Sequence, residues 1–291
     1  MAPMIYGTAW KEADTARLVY EAVKAGFRSF DTAAMARHYN EAGCGDGLRR
    51  AAQEGLVSRS DLYIQTKFSP SDDAFADAAR YPDIPSQVRA SVQQSLERLR
   101  VSDATSDAYL DCVVLHSPYP SRDDTLAAWR ALSAFVPDHV RSLGVSNISH
   151  AELRALLDPP AGVCAPVVVV QNRFAARERH WDAATRALCA ARKITYQGFW
   201  TLTANAKEWK TADYVTAVAA GAGVSRVVAW YSLMMAMDIV VLNGTTNVGH
   251  MREDLAGMSK IEEWMNTSEG QSIFEESVAV LKRRTGTVSE A

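Results

Sequence analysis

No apolar stretch in these 291 residues is long and charge-free enough to cross a bilayer. The opening segment, Met1-Ala2-Pro3-Met4-Ile5-Tyr6-Gly7, lacks the basic region and apolar core of a secretory leader. Both absences argue against a membrane role, and the expected location is the cytoplasm. Cysteine is scarce. Cys44, Cys112, Cys164 and Cys189 are scattered in no disulfide or metal-binding pattern, among apolar or small neighbours, so buried thiols without chemistry are expected. The formal net charge is only −3, with acidic and basic residues interleaved. No basic face is therefore expected for a nucleic-acid backbone or an anionic membrane. No repeat, linker or low-complexity tract divides the chain, and one domain over residues 1–291 is expected.

What is present is the balance of a folded globule, 48% hydrophobic and 22% charged. Strand-like runs occur at Met4–Gly7, Ser29–Asp31, Leu62–Thr66, Tyr109–Leu115, Val140–Val145, Val167–Gln171, Ile194–Gly198 and Ile239–Leu242. Cys112-Val113-Val114-Leu115 and Val167-Val168-Val169-Val170 are continuously apolar, as strands covered on both faces are. Amphipathic segments lie between the runs at Ala13–Lys24, Ile84–Leu99 and Ala151–Leu157. The alternation predicts an α/β fold, a (β/α)8 TIM barrel of the kind that ordinarily runs to about 250 residues. Extra C-terminal helices are expected. Ala212–Ala222 and Ser225–Met237 break at Gly221 and Gly223, and Ile261–Asn266 and Ile273–Thr285 follow the last strand. Three longer loops, Phe68–Pro85, Ser117–Asp124 and Phe199–Thr211, are expected at the strand exits, where barrels build their sites.

Asp31, Lys67 and His116 each directly follow a strand-like run, and Tyr39 lies in the loop after the second. Exit-end residues of successive parallel strands converge on one mouth, so distance in sequence is no obstacle to their meeting. Together they suit one chemical purpose, the delivery of a proton to a carbonyl oxygen as hydride reaches its carbon. A phenol is a poor acid near neutrality, with a reference pKa of about 10. An ammonium beside it favours the phenolate, and a carboxylate keeps a desolvated ammonium charged. His116 is expected to orient the carbonyl and to share in proton transfer, because imidazole changes state near neutral pH. Taken singly, each residue has an ordinary structural explanation: a helix cap for Asp31, snorkelling for Lys67, a satisfied core histidine for His116.

The motifs Gly7-Thr8-Ala9-Trp10, Phe30-Asp31-Thr32-Ala33, His38-Tyr39-Asn40-Glu41, Thr66-Lys67, Leu115-His116-Ser117-Pro118, Gly144-Val145-Ser146-Asn147 and Val170-Gln171-Asn172 together resemble, in order, the aldo-keto reductase superfamily. The resemblance implies a (β/α)8 barrel that binds extended nicotinamide cofactor without a Gly-rich fingerprint, and no G-x-G-x-x-G follows a strand-like run here. It implies a catalytic tetrad of Asp31, Tyr39, Lys67 and His116, with Tyr39 as proton donor. The common family spacing would put the tyrosine at Ala36. Tyr39 is aligned instead because Asn40-Glu41 follows it, as in fungal-type members with a longer loop. The resemblance further implies that Ser146, Asn147 and Gln171 hold the nicotinamide carboxamide, that Phe199 or Trp200 stacks on its ring, and that Leu202 lies nearby. Gly244, Thr245, Thr246 and Asn247, with Met251 and Asp254 in the helix that follows, would hold the adenosine phosphate. Gly244 and His250 stand where NADPH-selective members carry Lys and Arg, so NADPH is expected with NADH as the alternative. Trp10 and Tyr119 are candidate walls for a small carbonyl substrate. The implied activity is reduction of an aldehyde or ketone to an alcohol, with no metal. Alternatives are a cofactor-binding regulatory barrel and a biosynthetic enzyme using the same acid without net redox change. Oligomeric state stays open.

Overall fold

The computed structural model describes residues 4–70, 81–158 and 165–286, leaving aside the Arg179 side chain. Met1–Pro3, Cys164 and most of the expected Phe68–Pro85 loop lie outside the described residues. The strands follow one another in chain order in a closed barrel of eight, the (β/α)8 architecture. The chain comprises two compact units, Met1–Gln171 and Asn172–Ala291.

The first unit holds β1 (Met4–Gly7), α1 (Thr15–Ala25), β2 (Ser29–Asp31), α2 (Glu41–Gln53), β3 (Tyr63–Phe68), α3 (Ile84–Arg98), β4 (Cys112–Leu115), α4 (Arg122–Ser133), β5 (Leu143–Ser146), α5 (His150–Leu157) and most of β6 (Val167–Arg173). Its helices begin where polar side chains take up free backbone N–H groups. Asn40, Asp83, Ser121 and Ser149 each accept from the first turn, and Ser149 with Glu152 closes a capping box. Gly26 ends α1 at φ 116°, a conformation that costs glycine nothing, with its N–H on the Ala22 carbonyl. The strands pair in parallel, with Asp31 beside Gln65 and Lys67 beside Val114. Every residue of β4 and β5 is buried, as two-sided cover requires.

The expected strand Tyr109–Leu115 is shorter than its apolar run. Leu110 makes only an isolated bridge to Val140, because the Asp111 side chain replaces the ladder next to it: its carboxylate accepts the Ile64 N–H at 2.9 Å and pairs with buried Arg59 at 2.7 Å. The expected Val140–Val145 strand accordingly starts at Leu143. There the β5–β6 register shifts, and Gly144 is obligatory, since a Cβ would come within 2.9 Å of both the side chain and the carbonyl of Val169.

The second unit completes β6 and adds α6 (Arg179–Ala191), β7 (Thr195–Phe199), α7 (Ala206–Thr211), α8 (Asp213–Ala222), α9 (Arg226–Met235), β8 (Ile239–Asn243), α10 (Val248–Met265) and α11 (Ser268–Arg284). The expected loop Phe199–Thr211 is instead largely helical, a 3-10 turn at Thr203–Asn205 running into α7. Asn205 explains this: its buried amide donates to the carbonyls of Phe174 and Thr201 and accepts from the Trp181 indole, fixing the turn from inside. The expected short helix Ile261–Asn266 is the end of the long α10, and α11 starts five residues earlier than expected, at Ser268, because Thr267 caps it. Among the described residues no single helix is long and apolar enough to span a bilayer. The α8–α9 pair is apolar but bends by 105°.

Candidate active site

Asp31 and Lys67 leave β2 and β3 as an almost fully buried ion pair, with Lys67 Nζ 2.5 Å from Asp31 Oδ2. The ammonium donates a second hydrogen bond to the Thr32 carbonyl at 2.9 Å and lies beside the Tyr39 ring, 4.8 Å from its centre. The other carboxylate oxygen, Oδ1, accepts amide N–H groups from Gln65 at 2.7 Å and Gln171 at 2.9 Å. A buried ion pair is tolerable only when the remaining valences of both partners are met. Here they are. Burial pulls the Lys67 ammonium down, but Asp31 and Tyr39 outweigh it, and the pKa lies above the ordinary lysine value.

Tyr39 arrives eight residues after Asp31, and the backbone shows how the longer loop is taken up. Residues 35 to 39 curl into a single helical turn, with the N–H of Tyr39 on the Met35 carbonyl at 3.0 Å and that of His38 on the same oxygen at 3.2 Å. The turn is stapled at both ends: Ala34 N–H donates to the Lys67 carbonyl at 3.0 Å, and Trp10 N–H to the His38 carbonyl at 2.8 Å. Lys67 Nζ then lies 4.8 Å from the centre of the Tyr39 ring, and the His116 ring 6.0 Å from it, edge to face. Ala36, at the common family spacing, is exposed and carries no acid. Tyr39 is half-buried, so part of the side chain stays open to an arriving molecule. Burial raises its pKa and Asp31 adds to that, while the neighbouring Lys67 ammonium works the other way. The phenol is therefore protonated at neutral pH, as a proton donor must be, and Lys67 moderates an acid that burial alone would make weaker.

His116 follows β4, its N–H on the Phe68 carbonyl at 2.8 Å. Its Nδ1 lies 2.7 Å from Oγ of the buried Ser69. A serine hydroxyl donating there leaves the ring proton on Nε2, which becomes a neutral donor. The expectation that His116 titrates near neutrality is corrected. Burial, then Lys67, then His38, push its pKa down to about 3, so the imidazole stays neutral and orients rather than supplies a proton. No sequence motif marks Ser69, although it lies two residues after Lys67 on an extended run, the spacing that puts side chains on one face.

This depression carries a pH dependence with a definite sign. A group whose folded pKa is about 3 and whose unfolded value is 6.5 contributes stability present above pH 6.5 and lost as pH falls toward 3. At pH 5 the loss is about 1–2 kcal/mol, allowing for partial exposure of the ring. Urea unfolding at pH 7 and pH 5 checks this: wild type should lose about that much more stability than His116→Phe. Equal losses would show that the imidazole is not held neutral.

Trp10 is 62% exposed at φ 61°, its indole centred 4.0 Å from the His38 ring, so it braces the turn that carries Tyr39. Tyr119 is half-buried in the loop before α4, its N–H accepted by Thr125 Oγ1 at 3.0 Å. Ser146, Asn147 and Gln171 are brought together at the ends of β5 and β6. Ser146 Oγ donates to the Gln171 carbonyl at 2.6 Å, and Asn147, at φ 54°, donates to the His116 carbonyl at 2.8 Å. Asn147 thus ties the histidine loop to β5.

Phenol, ammonium, carboxylate and imidazole are thus gathered in one unit. The profile of the Aldo/keto reductase family matches residues 3–263. The chain belongs to the aldo/keto reductase family. It is 31% identical over 159 residues to an uncharacterized oxidoreductase of Saccharomyces cerevisiae, covering 54% of this chain and 50% of that protein. It is 34% identical over 140 residues to the glyoxal reductase of Bacillus subtilis, covering 48% and 42%, and 30% identical over 152 residues to the methylglyoxal reductase of Salmonella typhimurium, covering 51% and 46%. The matched segments thus span about half the length of these curated relatives. Among solved structures, an aldo/keto reductase from Brucella melitensis shares the fold at TM-score 0.70 and 22% identity over 88% of each chain. The silkworm aldo-keto reductase complexed with NADPH does so at TM-score 0.68 and 20% identity, over 87% of this chain and 78% of that one.

The second-unit positions that the resemblance assigns to the cofactor have distinct surroundings. Trp200 is 45% exposed at φ 57°, with the Arg173 guanidinium 4.3 Å from its ring, while Phe199 is half-buried 5.9 Å from the same cation. Leu202 is half-buried, its carbonyl accepting from the Trp209 indole at 3.1 Å. After β8, Gly244, Thr246 and Asn247 are exposed and Thr245 half-buried. Asn243 and Asp254 hold this loop from below, Asn243 Nδ2 lying 2.6 Å from Asp254 Oδ2 and Asn243 Oδ1 taking the Thr245 N–H at 3.0 Å. Burial pushes the Asp254 carboxyl up to about 6 against the pull of Asn243. Met251 is fully buried, and Asn247 caps α10.

Proposed function

We propose that this aldo/keto reductase reduces an aldehyde or ketone to an alcohol with a nicotinamide cofactor, Tyr39 supplying the proton. The single observation that carries the reading is the meeting of a buried Asp31–Lys67 ion pair with the half-buried side chains of Tyr39 and His116 in one cluster. The cofactor, when bound, supplies the hydride. The chain's own residues do the rest. His116 Nε2–H donates to the carbonyl oxygen and fixes its direction, Tyr39 releases its proton to that oxygen as negative charge builds there, and Lys67 stabilises the phenolate left behind. Asp31 holds the ammonium in place throughout.

The donor set fits a nicotinamide dinucleotide. Ser146, Asn147 and Gln171 offer hydroxyl and amide groups suited to a carboxamide, which needs both a donor and an acceptor. In the second unit, Phe199 and Trp200 offer aromatic faces with Leu202 nearby, and Gly244, Thr245, Thr246 and Asn247 offer backbone and hydroxyl donors for phosphate at the start of α10. In this assignment Met251 and Asp254 act through the shape of that loop. NADPH is the proposed donor and NADH the alternative. A Cβ built on Gly244 meets nothing within 4 Å, so there is room at that position for the larger 2′-phosphate. Trp10 and Tyr119 are proposed to flank the substrate.

The relatives named for glyoxal and methylglyoxal point to small reactive aldehydes as the first substrates to try. The test follows NADPH and NADH oxidation in parallel across 2-oxoaldehydes, aliphatic and aromatic aldehydes, and ketones. The expected result is carbonyl-dependent oxidation, faster with NADPH, with a product two hydrogens heavier than its substrate. Nucleotide binding without oxidation across the whole panel would favour a regulatory barrel and overturn the proposal.

A further inference from the structure

The interior face of β3 departs from the usual filling of a barrel. Side chains alternate along a strand, so Tyr63, Gln65 and Lys67 share one face. Tyr63 packs on Cys112, Val114 and Val169, which places that face inward. Barrel interiors are ordinarily layered with branched aliphatic residues. A fully buried amide is costly unless its hydrogen bonds are met, and Gln65 is fully buried. Two of its bonds lead in one direction. Gln65 Nε2 donates to Asp31 Oδ1 at 2.7 Å, and since a carboxylate only accepts, this fixes which end of the amide is NH2; the Tyr63 hydroxyl then donates to Gln65 Oε1 at 3.1 Å. Burial holds the Tyr63 phenol far above its ordinary pKa, so it remains a donor.

Lys67 has three N–H groups: one is on Asp31 Oδ2 and one on the Thr32 carbonyl, which leaves the third for the phenol of Tyr39, whose ring centre lies 4.8 Å from Nζ. That third N–H stays available to Tyr39 only while the carboxylate offers the ammonium a single oxygen. A carboxylate free to turn about its Cβ–Cγ bond would bring Oδ1 within reach of Lys67 and draw an N–H away from Tyr39. Two amides oppose that turn. One of them, Gln171, is the residue assigned above to the cofactor carboxamide, which leaves Gln65 as the lasting anchor. We propose that Gln65 is a positioning residue for the proton donor, locking Asp31 through Oδ1 so that Lys67 keeps its third N–H for Tyr39. This rests on the reductase reading for its consequence in turnover, but not for the geometry. The ionisable groups that feel Asp31 are Tyr39, Cys44, Tyr63, Lys67 and Cys112, and only Tyr39 and Lys67 bear on the proton donor.

Gln65→Met keeps volume and removes the donor. The first readout needs no catalysis: tyrosinate absorbance against pH, taken with Tyr39→Phe as the blank in each background, isolates the Tyr39 phenol. Freed from Lys67, that phenol should titrate at higher pH in Gln65→Met than in wild type. The second readout is kinetic. With a carbonyl that wild type reduces, kcat should fall about 10-fold, its alkaline limb should move to higher pH, and KM should stay within about twofold, a modest share of what a general acid contributes. Should Gln65→Met fail to fold, Tyr63→Phe removes the hydroxyl that holds Gln65 Oε1 in place, and a smaller shift of the same sign is expected. An unchanged Tyr39 titration in the folded variant overturns the proposal, even if the protein proves to be a reductase. Absence of turnover in wild type sinks the reductase reading alone, because the absorbance titration still decides the role of Gln65.

Discussion

Tyr39→Phe should lower kcat by about 1,000-fold while leaving nucleotide affinity within about twofold. The substitution removes one hydroxyl and keeps the ring that packs beside Lys67 and His116. Neither neighbour can replace the lost acid. His116 is no substitute acid, since burial keeps its imidazole neutral and a neutral imidazole gives up its remaining N–H proton far less readily than a phenol does, and the Lys67 ammonium is committed to Asp31 and the Thr32 carbonyl. Stability should change by only about 1 kcal/mol, the net worth of one hydrogen bond. Steady-state kinetics with nucleotide fluorescence titration provide the check. Activity within tenfold of wild type would mean that another group protonates the oxygen.

Lys67→Met is the largest expected perturbation of the fold. It strips the countercharge from a carboxylate that is almost entirely buried and leaves it two neutral amides. Breaking one half of a buried ion pair typically costs about 3–5 kcal/mol, because the surviving charge is left desolvated. Turnover should fall by at least about 100-fold as well, since nothing then offsets the burial and the carboxylate that weaken Tyr39 as an acid. Urea unfolding separates the two effects. Adding Asp31→Asn to Lys67→Met should recover part of the stability and none of the activity, which is the signature of a removed charge rather than of lost packing. A single variant as stable as wild type would refute the buried pair.

Three members of this cluster were legible in the sequence for a simple reason. Asp31, Lys67 and His116 each close an apolar strand, and strand ends in a parallel barrel share a mouth. Tyr39 was legible only through Asn40-Glu41, whose own duties are structural: Asn40 caps α2, and Glu41 is buried against Thr66, Ser95 and Arg98. Gln65 and Ser69 flank Lys67 at the two-residue period of a strand, yet nothing in a glutamine or a serine declares its partner. Their roles emerge only once Asp31 and His116 are in place. The neutrality of His116 was illegible because it follows from burial and from Lys67 and His38, both distant in sequence. Strand limits at Leu110 and Val140 misled for a related reason, a side chain of Asp111 standing in for backbone.

The stapled turn from Met35 to Tyr39 separates where the acid sits from how much chain brings it there. Both staples use main-chain atoms at fixed strand exits, so residues between them can be gained or lost as a cassette while the hydroxyl returns to the same amine. Two homologues can therefore share a proton donor that no gapless alignment would superimpose, and counting residues from the aspartate would pass over it in favour of an alanine.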